Sequence, residues 1–348
     1  MVLGVFDGHN DLLLRLWQKN SAAAVSDFID GEAEGQLDLP RMHDGGFIGG
    51  LFAIYVPSHV DNGILHKSLK PPHYPSVSFA DAQKPACDMV DVFDSLVRDV
   101  PGRGFRHCLS VADIRSAEAD GAIAAVLHME GAEAIGADLE GLDKLYARGL
   151  RSLGPVWSRP NQFGHGVPFA WPSSPNTGPG LTDAGKALIK ACNAKRIVVD
   201  LSHLNEKGFW DVARLSTAPL VASHSNAHAL TPSSRNLTDK QLRAIGESGG
   251  IVGLNFAIDF LQGDGRLVEN IAPEVMIRHL RHIIEIAGED CVGIGSDFDG
   301  ATIPEFIHDV AGLPGLVHAM ESSGFGSKLI EKITAENWLR VLKTTWGN

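Results

Sequence analysis

An α/β chain folded as a (β/α)8 barrel is what this sequence predicts, and two observations carry the expectation. Short apolar runs alternate eight times with segments of helical periodicity. Polar His, Asp and Glu residues also collect at the carboxyl ends of those runs, the face on which barrels carry their sites. A length of 348 residues suits one such barrel, so the expectation is a single domain over 1–348.

The first run, residues 2–6, leads directly into His9-Asn10-Asp11. Side chains two apart in an extended chain share a face about 7 Å apart, so His9 and Asp11 can converge on one metal ion. Taken alone, such a pair is more often a turn or a capped loop. The second run is 47–56, and the third, 122–128, ends in Leu127-His128-Met129-Glu130-Gly131. A fourth follows at 150–156. The fifth, 196–201, ends in Asp200-Leu201-Ser202-His203, and the sixth, 219–222, in Ala222-Ser223-His224-Ser225. After a seventh at 250–256, the eighth, 291–295, ends in Gly295-Ser296-Asp297-Phe298-Asp299-Gly300.

Helical candidates lie between the runs, near 12–20, 80–99, 137–148, 182–194, 205–215, 237–247 and 273–287. Many open on Asp, Ser, Thr or Asn, the residues that cap helix amino termini. From about 305 onward the chain reads as extra helices packed on the outside. Two stretches lack periodicity, 57–79 and 158–180, and both follow predicted strands. Loops of that length are usually lids or binding loops; a mobile or subunit-contact loop is the alternative for 57–79.

Thirty Lys and Arg against 42 Asp and Glu give a net charge of −12, which argues against a nucleic-acid or anionic-membrane partner. Cys87, Cys108, Cys192 and Cys291 lack any C-x-x-C spacing. They read as buried small hydrophobes rather than disulfides or thiolate ligands. No secretory leader and no apolar run approaching 18 residues is seen, so a soluble, cytoplasmic protein is expected.

Five strand ends that share only His, Asp and Glu need compensating cations once removed from water. Metal ions supply that charge. Without thiolates the set suits zinc, with manganese, iron or cobalt as substitutes. His9, Asp11, Glu130, His203 and His224 are too many for one catalytic zinc, which suggests two ions with Glu130 able to bridge. Asp297, from a strand adjacent to the first in a closed barrel, is the candidate general base and acid. Asp299 reads as a cap and His128 as a supporting or core residue. Arg235, in Ser233-Ser234-Arg235-Asn236, could grip a carboxylate bidentately or pair with a structural one; spacing does not choose.

These motifs together resemble the membrane (renal) dipeptidase family, the M19 metallopeptidases, in their bacterial form. Asp7-Gly8-His9-Asn10-Asp11, Glu130-Gly131, Asp200-Leu201-Ser202-His203, Ser223-His224-Ser225, Ser234-Arg235-Asn236 and Gly295-Ser296-Asp297-Phe298-Asp299-Gly300 match its motifs in order across nearly the whole chain. The resemblance implies a distorted (β/α)8 TIM barrel of the metal-dependent amidohydrolase type and a binuclear zinc centre. It gives His9 and Asp11 to one Zn2+, His203 and His224 to the other, and Glu130 to both. It implies that Arg235 binds the substrate carboxylate, that Asp297 manages the proton, and that the protein is a homodimer.

The expected activity is zinc-dependent hydrolysis of dipeptides, L-Xaa-L/D-Xaa, by a hydroxide bridging the ions. One alternative is a binuclear amidohydrolase acting on N-acyl amino acids or β-lactams; another is a non-catalytic metal- or peptide-binding barrel. Two positions depart from the family. Trp157 stands where the family's mammalian members place a substrate-binding histidine and Phe260 where a substrate-binding tyrosine is found, which leaves Asn161 or His165 as candidate donors to substrate.

Overall fold

The apolar run ahead of His9 forms β1 (Val5–Asn10), buried along its whole length. Burial on both faces is why such a strand reads as continuous hydrophobicity instead of alternation. The computed structural model describes residues 4–21, 23–32, 34–58, 74–99 and 104–347. Most of the 57–79 stretch therefore lies outside the described residues.

After β1 come β2 (Phe47–Tyr55), β3 (Phe105–His107), β4 (Ile123–Glu130), β5 (Leu150–Gly154) and β6 (Val198–Val199). β7 (Val221–Ala222), β8 (Ile251–Leu254) and β9 (Val292–Ile294) complete the set. Eight of them run in the order β6-β5-β4-β2-β1-β9-β8-β7, with every pairing parallel. The two ends of that path meet through one parallel bridge, Asp200 to Val221, and the Leu201 N–H donates to the Val221 carbonyl at 2.7 Å. This closes the barrel, with its thinnest seam between β6 and β7.

β3 has no counterpart among the predicted strands. It pairs with residues 123–125 of β4, while β5 pairs with 127–130, so the two share one edge of β4. Three residues, Phe-Arg-His, are too few to show a period.

Alternation along β4 sorts its side chains. Ile123, Ala125, Leu127 and Met129 join the large cluster beneath the helices, whereas Ala124 and Val126 join an inner cluster with Phe6, Leu51, Val198, Val221 and Ile251. By the same two-residue period, His128 and Glu130 continue the inward row toward the carboxyl end.

The helices fall close to the predicted ranges, among them Phe79–Asp99, Asp183–Lys195, Glu206–Leu215 and Pro273–Ala287. The segment expected at 137–148 is shorter, Leu142–Ala147. Helix Leu313–Ser322 packs outside against Pro273–Ala287, as expected. The last helix, Asn337–Trp346, does not.

Trp338, Leu339, Val341, Leu342 and Trp346 pack with the inner cluster, so this helix stoppers the amino-terminal end of the barrel. An amphipathic pattern says that a face is buried, not which surface buries it. Trp338 is fully buried and its Nε1–H donates to the Ile294 carbonyl at 2.8 Å. Gly8 is glycine because of it: a Cβ there would lie 2.2 Å from the Trp338 ring and 2.5 Å from the Ser223 carbonyl oxygen.

Replacing Trp338 with alanine removes the stopper's largest side chain and its hydrogen bond to the Ile294 carbonyl. A loss of about 3–5 kcal/mol is expected by urea denaturation. Leu267→Ala, at a position 41% exposed, should change stability by less than about 0.5 kcal/mol. Equal effects of the two substitutions would refute the stopper.

Candidate metal centre

Glu130, the last residue of β4, places one carboxylate oxygen among three imidazoles. Its Oε1 lies 2.9 Å from His203 Nε2, 3.3 Å from His224 Nε2 and 3.7 Å from His9 Nε2. His9 comes from β1, His203 from the turn after β6, and His224 from the residue pair after β7. Asp11 Oδ2 is 3.4 Å from His9 Nε2. His9, Asp11, Glu130, His203 and His224 are all 5% exposed or less, so the charges in this set are held away from water.

Hydrogen bonds from behind fix how the imidazoles point. Asp200 Oδ1 accepts the N–H groups of Ser202 and Ser223, at 3.0 and 2.8 Å. Its Oδ2 accepts the Ser223 hydroxyl at 2.5 Å. That hydroxyl has one proton and gives it to Asp200, so at 2.7 Å from His224 Nδ1 it can only accept. His224 therefore carries its proton on Nδ1 and turns the Nε2 lone pair toward Glu130. A nitrogen lone pair and a carboxylate oxygen 3.3 Å apart repel unless a cation sits with them.

The other donors tell the same story. His203 Nδ1 is held 2.7 Å from Ser158 Oγ, and its Nε2 lies 3.0 Å from His224 Nε2. Both ring nitrogens of His9 are buried without a hydrogen-bond partner. Glu130, His203 and His224 form one set with donor atoms within 4.8 Å of one another, and His9, Asp11 and Glu130 form a second. A third set joins His9, His224 and Asp297. Imidazole and carboxylate donors without thiolate suit zinc and its divalent neighbours.

The charges push in matching directions. Burial depresses His9, but Glu130, Asp11 and Asp297 outweigh it and raise its pKa to about 10. Burial raises Glu130 well above the carboxylate range, with Asp11 and Asp297 adding to it. His203 and His224 are pushed well down, first by burial and then by the positive charges of Arg235 and His9. A Glu130 carboxyl that resists ionising beside His203 and His224 rings that resist protonation describes a site that favours external positive charge.

Asp297 lies after β9 in the left-handed region, φ 63°, and its neighbour Asp299 has φ 64°. His203 is left-handed as well, φ 68°. Such residues persist only where surrounding contacts over-determine them. Asn255 Nδ2 donates to Asp297 Oδ2 at 3.0 Å, and burial raises the Asp297 pKa. Asp299 accepts from Arg15 Nε at 2.8 Å and from the Gln36 N–H at 2.6 Å. Gln36 in turn accepts the Asp299 N–H and donates to the Ala301 carbonyl, clasping the loop that carries Asp297.

Arg235 is buried, donating from Nη1 to Ser225 Oγ at 3.1 Å and from Nη2 to the His224 carbonyl at 3.0 Å. Its Nε has no partner, and among the described residues no carboxylate is in ion-pair contact with it. The structural-carboxylate alternative for Arg235 thus finds no direct ion pair among the described residues; Asp297, Glu130 and Asp200 act on its charge at longer range.

The pocket above the cluster is lined by Asp11, Glu130, His203 and Asp297 on its polar side. Leu14, Tyr55, Trp157, Phe169 and Phe260 form its apolar side. Trp157 and Phe260 thus take wall positions. Neither Asn161 nor His165 is part of the lining. Asn161 spends its amide on its own turn, donating to the Pro155 carbonyl and accepting from the Phe163 and Gly164 N–H groups. His128 is fully buried beneath, with Nδ1 2.9 Å from Ser152 Oγ. Asn255 and Phe169 escaped the sequence reading. Asn255 had a signal, a lone amide in the seventh apolar run; Phe169 had none.

The model of the family described as membrane dipeptidase, peptidase family M19, matches residues 2–346. The chain belongs to family M19. It is accordingly a metallo-dipeptidase, a hydrolase of peptide bonds. Among solved structures similar to this M19 chain is a metallo peptidase from Rhodobacter sphaeroides, liganded with a phosphinate mimic of the dipeptide L-Ala-D-Ala. It is 53% identical with a TM-score of 0.97, over 99% of this chain and 100% of that one. A dipeptidase described as an M19 metallo peptidase matches at 53% identity and TM-score 0.96, over the whole of both chains. An uncharacterized Klebsiella pneumoniae protein of the pqqA 5′ region is 49% identical over 73% of this chain and 94% of its own. No helix among the described residues is long and apolar enough to cross a membrane.

The loop that carries Arg235 rests on His279, from helix Pro273–Ala287. His279 Nδ1 accepts the Ala227 N–H at 3.2 Å and its Nε2 bonds the Leu261 carbonyl at 3.1 Å. Burial pushes its pKa from 6.5 down to about 4. Between those values the unfolded chain binds more protons than the folded one, so the neutral ring's stabilisation is full above pH 6.5 and is lost as pH falls toward 4. The loss is about 3 kcal/mol. The stability advantage of the parent over His279→Gln should therefore shrink by about that amount between pH 7 and pH 4 in denaturant titrations. A constant difference would contradict the assignment.

Proposed function

We propose that this M19 chain hydrolyses the amide bond of small dipeptides, L-Xaa-L/D-Xaa, at a centre of two zinc ions. His9 and Asp11 would hold one ion, His203 and His224 the other, and Glu130 both. The observation that carries this reading is the Glu130 carboxylate oxygen within 3.7 Å of three imidazole nitrogens. One of those nitrogens, His224 Nε2, has its lone pair turned toward the same oxygen. Divalent ions held there lower the pKa of water and polarise a scissile carbonyl.

The chain's own groups do the rest. Asn255 holds Asp297 Oδ2, which leaves Oδ1 to take a proton from the attacking water and return it to the departing amine. Burial and the neighbouring carboxylate of Asp11 raise the Asp297 pKa, which favours that exchange. Arg235, its guanidinium buried and without a carboxylate partner, would receive the terminal carboxylate of the substrate. The Rhodobacter sphaeroides relative, bound to a mimic of L-Ala-D-Ala, supports a substrate of that size. We propose further that 1–348 acts as one catalytic domain. Its site draws on residues from His9 to Asp297, and its barrel is stoppered by Trp338.

Hydrolysis of L-Ala-L-Ala and L-Ala-D-Ala should fall at least 100-fold when the protein is stripped with chelator and return with added zinc. Asp297→Asn should lower kcat about 10²–10⁴-fold with little change in KM, and Arg235→Met should act mainly by raising KM. Dipeptide turnover that survives complete metal removal would refute this account. Strong preference for N-acetylated amino acids over free dipeptides would favour an acyl-amino-acid hydrolase instead.

A further inference from the structure

The apolar wall of the pocket is a continuous row of rings leading away from Arg235. The Arg235 guanidinium carbon lies 5.5 Å from the Phe260 ring centroid. Phe260 to Phe169 is 5.8 Å between centroids, Phe169 to Trp157 is 5.5 Å, and Trp157 to Tyr74 is 4.7 Å. Both Trp157 and Phe169 also pack beside His203, at 5.7 and 6.1 Å. The row therefore spans the interval between the group that would take a carboxylate and the group that would face the scissile bond.

The wall has little room to retreat. Behind Trp157 lies Arg159, wholly buried, its guanidinium carbon 5.3 Å from the indole and 5.5 Å from the Tyr55 ring. Arg159 donates to Glu133 Oε1 at 2.8 Å, to Ser58 Oγ at 2.8 Å and to the Val56 carbonyl at 2.5 Å. A buried ion pair with this many bonds fixes the strand ends it joins. The enclosed space left between the walls is about 50 Å³, well below the roughly 300 Å³ at which ligand pockets usually begin.

We infer that Phe169 and Trp157 determine specificity for the C-terminal residue of the substrate. With its carboxylate on Arg235 and its amide near His203, that residue must lay its side chain along Phe260, Phe169 and Trp157. Rings packed edge-to-face and tilted against one another leave a shallow apolar slot. A methyl group fits it, a leucyl or phenylalanyl side chain meets the rings, and a carboxylate side chain loses its water against negative π-faces. This assignment rests on the dipeptidase reading and adds the chemical class of the residue next to Arg235.

The test is a series of Ala-Xaa dipeptides, Xaa being Ala, Val, Leu, Phe or Glu, assayed on the metal-loaded full-length protein, its Phe169→Ala and Trp157→Ala variants, and Phe169→Leu. The parent should favour Ala over Leu, Phe and Glu by at least tenfold in kcat/KM. Phe169→Ala should raise the Leu-to-Ala ratio at least tenfold, mostly through KM, and Phe169→Leu should restore most of the parent ratio. A parent equally active on all five substrates, or ratios unmoved in both alanine variants, would overturn the slot while leaving the dipeptidase reading intact. Absence of turnover on every dipeptide would instead remove that reading, and the slot with it.

Discussion

The burial of several carboxylates in one barrel mouth is the constraint on which the rest of this structure depends. Asp11 and Glu130 are buried beside the partly exposed Asp297, and His9 and Arg235 supply the positive charge that the protein itself sets against them. Like charges brought together in this way repel and lose their hydration. His224 does not relieve this as an acid, because the Asp200-Ser223 relay leaves its Nε2 lone pair facing the cluster. External cations resolve the conflict, which ties metal dependence to the hydrogen-bond pattern as well as to residue type.

Maintaining that cluster shapes the fold around it. The β6–β7 seam is held by a single bridge, and the same Asp200 that makes the bridge also orients Ser223. The residue whose backbone closes the barrel is therefore also the one whose carboxylate aims a candidate ligand. On the opposite side, left-handed backbone at Asp297 and Asp299 is secured by Gln36, Arg15 and Asn255. The left-handed residues there sit where surrounding bonds determine geometry tightly.

The alternation of strands and helices, and five of the strand ends, were legible in the sequence because each leaves a local trace. An apolar run stops, and a His or carboxylate follows at a spacing of two. Features made by contacts distant in sequence left no such trace. β3 is three residues long, and the pairing of Phe105 with Ile123 is invisible to periodicity. The last helix shows an amphipathic face, but only packing reveals that Trp338 sits inside the barrel against Gly8. Phe169 looks like any loop aromatic until the fold lays it between Phe260 and Trp157. Asn161 has the right chemistry in the right loop, yet its amide is consumed by the turn it helps to make.

The central claim is that these buried carboxylates and imidazoles form one two-ion centre joined by Glu130. Metal content after exhaustive dialysis against limiting zinc, measured by mass spectrometry on the parent and on Glu130→Gln, tests it most directly. The account predicts two zinc ions per parent chain and no more than one in the variant, which keeps the shape of the side chain but loses the charge shared between both sets. A parent that saturates at one ion, or a variant that retains two with unchanged affinity, would contradict it.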